Sequence, residues 1–178
     1  FNPAFVIDES TKEKLSVDIT KPVLKGKEVK KYFYKPSNKY LIFTRSGTDI
    51  SQYPRVEDYL SEFKERLTPR PEDEDSSYGG RKPGDYEWYE IQDSTAYYEL
   101  FEEDKIIWPL TAHKWGFHLD KDHNYLTSSG FLLISKELSL KYILAFMNSK
   151  VVEYYFKFIG VMTAGGAFTL KKSTIERL

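Results

Sequence analysis

The sequence predicts an α+β fold, a mostly antiparallel sheet with helices, including a C-terminal helical pair. Two observations carry that expectation. Short aromatic and β-branched runs bounded by turn residues alternate irregularly with amphipathic stretches, without the regular rhythm of a parallel βαβ sheet. Helical periodicity is then concentrated near the end, where apolar residues recur at three- and four-residue spacing from Leu140 to Ile159. With 178 residues, 40% hydrophobic and 30% charged, the chain is long enough to enclose a core and too apolar to stay disordered.

The first strand is Tyr40 to Thr44, between Asn38 and Ser46-Gly47. A helix follows from Pro54, with Val56, Tyr59, Leu60, Phe63 and Leu67 on one face. Thr68-Pro69 ends it, because a residue before proline disfavours the α region. Pro69 to Gly84 is too polar to pack and reads as a long exposed loop. Trp88 to Ile91 reads as a short strand, and Ser94 as the cap of a brief helix whose Tyr97, Leu100 and Phe101 share a face. Lys105–Leu110, Trp115–Leu119 and Gly130–Ser135 are further strands. The helical pair places Leu140, Ile143, Leu144 and Met147 on one stripe. Asn148-Ser149 then caps a second helix carrying Val151, Val152, Tyr155, Phe156 and Ile159, closed by Gly160.

The net charge of −1 conceals a segregation. Residues 12–45 hold ten Lys/Arg against three acids, residues 46–110 seven against seventeen, and residues 111–178 nine against five. Two basic ends flanking an acidic middle can fold into one positive face, although solvated surface charge explains the same pattern. The absence of cysteine excludes disulfides and thiolate zinc sites and favours a cytoplasmic setting. No stretch approaches the ~20 apolar residues of a membrane helix. The chain opens at Phe1 without a signal-peptide pattern and reads as a piece of a longer protein.

Motifs for catalysis are missing. The sequence has no phosphate loop, no Gly-x-Gly-x-x-Gly turn and no Gly-x-Ser-x-Gly elbow. His113, His118 and His123 are spaced by five, which puts neighbours on opposite faces of a strand and argues against a metal site. Glu62-Phe63-Lys64 superficially matches the acidic-x-lysine element of nucleases, but it falls on a helix with Phe63 on the buried stripe. The acid run Glu72 to Asp75 lacks the glycine and alternating ligands of a calcium loop. Fourteen tyrosines offer stacking platforms, most of them at core spacing, and Trp115 beside Lys114 is the better candidate for an exposed aromatic contact.

Several stretches together resemble one family. Lys21 to Tyr32 is similar to its opening "P-x-L-K-G-K-x-[IV]-K-[RK]-Y". The strand Tyr40 to Arg45, the helix at Tyr53-Pro54, Gly80 to Gly84 with Trp88-Tyr89-Glu90, and Lys105 to Pro109 follow in order. Met147-Asn148-Ser149-Lys150 and Gly165-Gly166 complete the series, and Asn2 to Asp8 resembles the linker that leaves a catalytic domain. The resemblance is to the TaqI-like C-terminal specificity domain of adenine-specific DNA methyltransferases in type II restriction–modification systems. It implies residues 1–20 as a linker and residues 21–178 as a target recognition domain for double-stranded DNA. A neighbouring methyltransferase domain of the same parent would flip and methylate the adenine from S-adenosylmethionine. This stretch would hold no cofactor and no catalytic residue, since Asn2-Pro3-Ala4-Phe5 does not supply the Asn-Pro-Pro-Tyr motif. The setting implied is the prokaryotic nucleoid.

Phosphate contacts supply affinity and base-edge contacts supply specificity. Lys25, Lys27, Lys30, Lys31, Lys171 and Lys172 are the candidates for the backbone, and Arg45 is a further DNA-binding candidate. Arg81 and Lys82 in a glycine-flanked loop, with His113, Lys114 and Trp115, are the candidates for bases. Thr163 to Thr169 reads as a further mobile loop of small residues. The competing reading is a protein-interaction domain that uses the acidic middle and the basic ends.

Overall fold

A computed structural model describes residues 3–75, 77, 79–92 and 96–178. Ser94 and Asn2 lie outside the described residues. In chain order the elements begin with β1 (Val6–Asp8), α1 (Glu9–Leu15), β2 (Thr20–Leu24), β3 (Val29–Lys30), β4 (Phe33–Tyr34) and β5 (Lys39–Ile42). Next come α2 (Pro54–Ser61), α3 (Lys64–Leu67), β6 (Lys105–Pro109), β7 (Thr111–Ala112), β8 (His118–Asp120) and β9 (Tyr125–Leu126). The last six are β10 (Gly130–Leu133), α4 (Leu140–Met147), α5 (Lys150–Ile159), β11 (Val161–Met162), β12 (Phe168–Thr169) and α6 (Lys172–Ile175). The fold is α+β and its sheets are mostly antiparallel. It divides into two compact units, residues 1–22 with 38–97 and residues 23–37 with 98–178.

In the first unit β5 lies between β1 and the start of β2, with Ile7 opposite Tyr40 and Thr20 opposite Ile42. Phe5, Ile7, Leu15, Ile42, Val56, Leu60 and Leu67 are buried. Phe5, Ile7 and Leu15, within the stretch expected to be a linker, are part of this core. Asp8 caps α1, its carboxylate accepting from the Thr11 backbone N–H at 2.9 Å. That bond, then the Thr11 and Ser10 hydroxyls, hold its pKa down at about 2.

Two expected elements differ. The helix from Pro54 breaks at Glu62-Phe63 into α2 and α3. Trp88 to Ile91 is a turn rather than a strand. The buried carboxylate of Glu90 accepts from the Gly47 N–H at 2.7 Å and the Glu87 N–H at 3.1 Å, so a side chain holds backbone that a ladder would otherwise pair.

In the second unit β6 is buried along its whole length between β10 and β8. Val23-Leu24 of β2 pairs in parallel with β9. A core of Ile106, Trp108, Trp115, Phe117, Met147, Phe156, Phe168 and Leu170 packs the sheet against the helices. The expected strand from Trp115 starts only at His118, with Trp115 to Phe117 buried as irregular chain. The helical pair forms as predicted, and the Ser149 hydroxyl accepts from the Val152 N–H at 3.2 Å. Its inward stripe is narrower than the spacing suggests. Val152 and Phe156 are buried, whereas Val151 is 76% exposed and Tyr155 also faces outward. Beneath β6 the Lys105 ammonium lies 2.7 Å from the Asp120 carboxylate, both side chains fully buried.

Candidate nucleic-acid interface

The opening basic segment is organised around Gly26. Its N–H donates to the Ser129 hydroxyl at 3.0 Å, and a Cβ here would meet the Ser129 carbonyl oxygen at 2.1 Å. Only glycine fits that approach. The backbone makes a 3-10 turn over Gly26–Glu28, and the Glu28 carboxylate accepts from the Lys25 N–H at 2.7 Å. Lys25 and Lys27 are thereby exposed on either side of a buried glycine. Lys30 and Lys31 are half-buried and engaged. The Lys30 ammonium donates to the Lys27 carbonyl at 2.5 Å and the Lys31 ammonium to the Asn148 carbonyl at 2.7 Å.

Beside this turn packs β7, the edge of a small sheet ordered β11-β12-β7. The register places Ala112 opposite Phe168 and Thr111 opposite Thr169. His113 and Lys114, both exposed, thus leave β7 at the end of the sheet where the chain turns from β11 to β12. That turn is closed by hydrogen bonds. Thr163 donates its N–H to the Ala167 carbonyl at 2.8 Å, and its hydroxyl accepts from the Ala167 N–H at 3.1 Å. Gly166 supplies the positive φ of 73° that closes it. Five of the candidates, Lys25, Lys27, His113, Lys114 and Thr163, are thus exposed on adjoining elements of one unit.

Lys171 and Lys172 lie at the other end of β12, where the Leu170 N–H donates to the Leu110 carbonyl at 2.7 Å. Lys171 is exposed, and Lys172 is 3.6 Å from Glu176 one turn along. Lys172 also borders an apolar cleft of about 500 Å³ lined by Trp108, Leu133, Tyr142, Phe146 and Ile175. Arg45 and Lys82 are exposed in the first unit.

Two candidates are corrected. Arg81 is only 7% exposed and cannot offer its fork to a base. Its guanidinium donates to the carbonyls of Leu67 (2.5 Å), Glu90 (2.6 Å), Trp88 (3.0 Å) and Glu87 (3.1 Å). Backbone bonds from Arg70 to Arg81 and from Arg81 to Thr68 close the base of the long loop. Arg81 is the bolt of that loop, and burial lowers its pKa. Trp115 is 4% exposed and donates its indole N–H to the Met147 carbonyl at 2.6 Å, with Phe117, Phe156 and Phe168 around it.

Exposed aromatic residues stand elsewhere, on α4 and α5 (Tyr142, Tyr154 and Phe158) and at the β3–β4 hairpin. Tyr32 is 55% and Phe33 52% exposed, directly after the lysine run. On the same hairpin Tyr34 donates to Asp122 at 2.8 Å and lies 5.4 Å from the His118 ring. Desolvation lowers the pKa of His118, whose Nδ1 is buried without a partner. The alternation Lys-Lys-Tyr-Phe-Tyr-Lys over residues 30–35 was the available signal for this hairpin. Of the residues that resembled a nuclease element, Lys64 places its ammonium 4.8 Å from the Trp88 ring centre. Among the described residues no three His, Asp or Glu side chains are grouped to hold a metal ion.

No helix of the described residues is long and apolar enough to cross a membrane. In comparison with known proteins, no curated protein matches the chain. A family model does match, described as the TaqI-like C-terminal specificity domain, over residues 21–178.

Proposed function

Because the chain belongs to the TaqI-like C-terminal specificity domain family, we propose that it reads duplex DNA for an adenine-specific methyltransferase of a type II restriction–modification system and is itself non-catalytic. The family is one of DNA-recognition domains of restriction–modification enzymes, and the match spans nearly the whole chain. The observation that supports DNA binding by this chain is the arrangement in the second unit. The family's opening motif folds so that Lys25 and Lys27 are exposed beside β7, and the sheet register brings His113, Lys114 and the Thr163 turn to one end of the neighbouring strands.

The division of labour follows from side-chain chemistry. Lysine is a compact point charge suited to phosphates, so Lys25, Lys27 and Lys171 hold the backbone, with Arg45 and Lys82 of the first unit as further phosphate contacts. His113, Lys114 and Thr163 sit on turns that can reach base edges. S-adenosylmethionine and adenine flipping belong to a methyltransferase domain of the same parent, since this sequence carries neither a glycine-rich cofactor turn nor Asn-Pro-Pro-Tyr. The setting is the prokaryotic cytoplasm.

Single-molecule sequencing of DNA modified by the full-length parent tests this reading. Methylated adenine at one recurring sequence is expected. Modification of cytosine, or of no base, would overturn it.

A further inference from the structure

We propose that Tyr32 and Phe33 form an aromatic wedge that stacks on a base step of the bound duplex and partly unstacks it. The inference rests on the DNA-recognition reading above and adds to it a contact made through base faces rather than base edges.

Three observations carry it. The first is exposure. Two adjacent aromatic side chains are more than half exposed in a unit whose core is rich in buried rings. Neither ring is needed to complete that core. Tyr142, Tyr154 and Phe158 on α4 and α5 are exposed too, but Tyr32 and Phe33 directly follow a lysine run on a hairpin turn.

The second is rigidity. Val29 pairs with Tyr34 and Lys30 with Phe33, so Lys31-Tyr32 is a two-residue hairpin turn. Tyr32 has a φ of +68°, a conformation that favours glycine and is uncommon for a bulky side chain. Such strain persists only where the surroundings over-determine it. Here the Tyr32 N–H donates to the Phe117 carbonyl at 2.9 Å, and the Lys31 ammonium is tied to the Asn148 carbonyl at 2.7 Å. Gly116 leaves room for the turn, since a Cβ there would meet the Lys31 N at 2.6 Å. The rings are therefore presented on a fixed support, which reduces the entropy lost on binding.

The third is charge. Lys25, Lys27 and Lys35 are exposed on this segment, against Glu28, whose carboxylate is occupied by the Lys25 N–H, and Asp122, which accepts from Tyr34. A polyanion is the partner complementary to that surface. Stacking on bases is how exposed aromatics contribute when lysines hold the backbone, and wedging between base steps is the form it takes on a duplex.

The test uses a random-sequence 40-base-pair duplex pool with 5-iodouracil in place of thymine. Long-wavelength ultraviolet light crosslinks an iodouracil to an aromatic ring stacked on it, and mass spectrometry identifies the peptide. Wild-type chain should crosslink through the peptide holding Tyr32 and Phe33. Tyr32→Gly with Phe33→Ala should abolish that crosslink and weaken binding at least about tenfold, leaving the salt dependence unchanged. Tyr32→Gly suits the positive φ, so the hairpin should survive, and an unchanged urea midpoint confirms it. Crosslinks confined to other peptides, with the variant binding as tightly as wild type, would overturn the wedge and leave DNA recognition standing. Failure of the wild-type chain to bind the pool at low salt would instead remove DNA recognition, and the wedge with it.

Discussion

The Lys31 ammonium donates to the Asn148 backbone carbonyl at 2.7 Å, joining residues 117 positions apart. The Asn148 side chain in turn accepts from the Phe117 N–H and donates to the Phe117 carbonyl, each at 2.9 Å. Two of the motifs that carry the family resemblance, Lys21 to Tyr32 and Met147 to Lys150, thus meet in space, at Lys31 and Asn148. Their contact fixes the end of α4 and the segment before β8.

Asn148 is buried and serves both polar groups of one residue, so its loss leaves a donor and an acceptor unsatisfied. Asn148→Ala should destabilise the chain by about 2–6 kcal/mol, counting about 1–3 for each orphaned group. Lys31→Ala should cost about 1 kcal/mol and leave the salt dependence of DNA binding nearly unchanged. Urea denaturation gives the first two values, and a marked fall in the salt slope would show that Lys31 contacts phosphate.

Arg81 makes four side-chain bonds to backbone carbonyls. Removing it should cost about 3 kcal/mol or more, because buried carbonyls lose a charged donor together. Arg81→Lys should recover little, since an ammonium cannot reproduce the planar fork. Chemical denaturation of both variants checks this. A stability unchanged from wild type would contradict the structural role.

The Lys105–Asp120 pair makes a different kind of prediction. Asp120 also accepts from the Asn124 N–H at 2.9 Å and its amide at 2.8 Å, and Lys105 also donates to the Phe101 carbonyl at 2.7 Å. Either Lys105→Met or Asp120→Asn alone strands a buried charge and should cost about 3–5 kcal/mol. The double variant should be less destabilised than the sum of the singles, by a coupling measurable in a double-mutant cycle. Strict additivity would mean that the two charges do not act as a pair.

Periodicity and turn chemistry made the antiparallel sheet, α4 and α5 legible before any coordinates. Ser149 was readable as a cap because a hydroxyl before an apolar period has one common use. Arg81 was misread for a physical reason. An arginine flanked by glycines looks exposed in one dimension, and nothing local reveals that four carbonyls converge on it. Trp115 was misread because adjacency to Lys114 says nothing of the Phe117, Phe156 and Phe168 rings around it. Lys105 and Asp120 were invisible for the same reason, as their pairing depends on the β6–β8 register. That Lys25, Lys27 and Lys114 are exposed is what their charge predicts, whereas the exposure of Tyr32 and Phe33 runs against their apolar character. Exposure is a property of packing, and composition alone does not carry it.

The Asp8 carboxyl, with its pKa lowered to about 2 by the Thr11 N–H, links stability to acid. The folded value lies below the unfolded one, so the unfolded chain binds the proton more readily. The contribution of this cap is complete above about pH 4 and is lost as the pH falls through about 2. Carbon-detected NMR titration of Asp8 should give a midpoint near 2. A midpoint at the ordinary aspartate value would show that the cap is not formed.

The central claim is that the second unit grips the DNA backbone through Lys25, Lys27 and Lys171, and salt dependence tests it most directly. Fluorescence anisotropy on a random-sequence 30-base-pair duplex should give a dissociation constant of roughly 10⁻⁴–10⁻⁶ M near physiological salt, tightening as salt is lowered. Each phosphate contact contributes about 0.9 to the slope of log K against log salt. The combined variant Lys25→Ala, Lys27→Ala, Lys171→Ala should therefore flatten the slope by about 2–3, with an unaltered urea midpoint. A wild-type chain that does not bind at low salt, or a triple variant with the wild-type slope, would contradict the account.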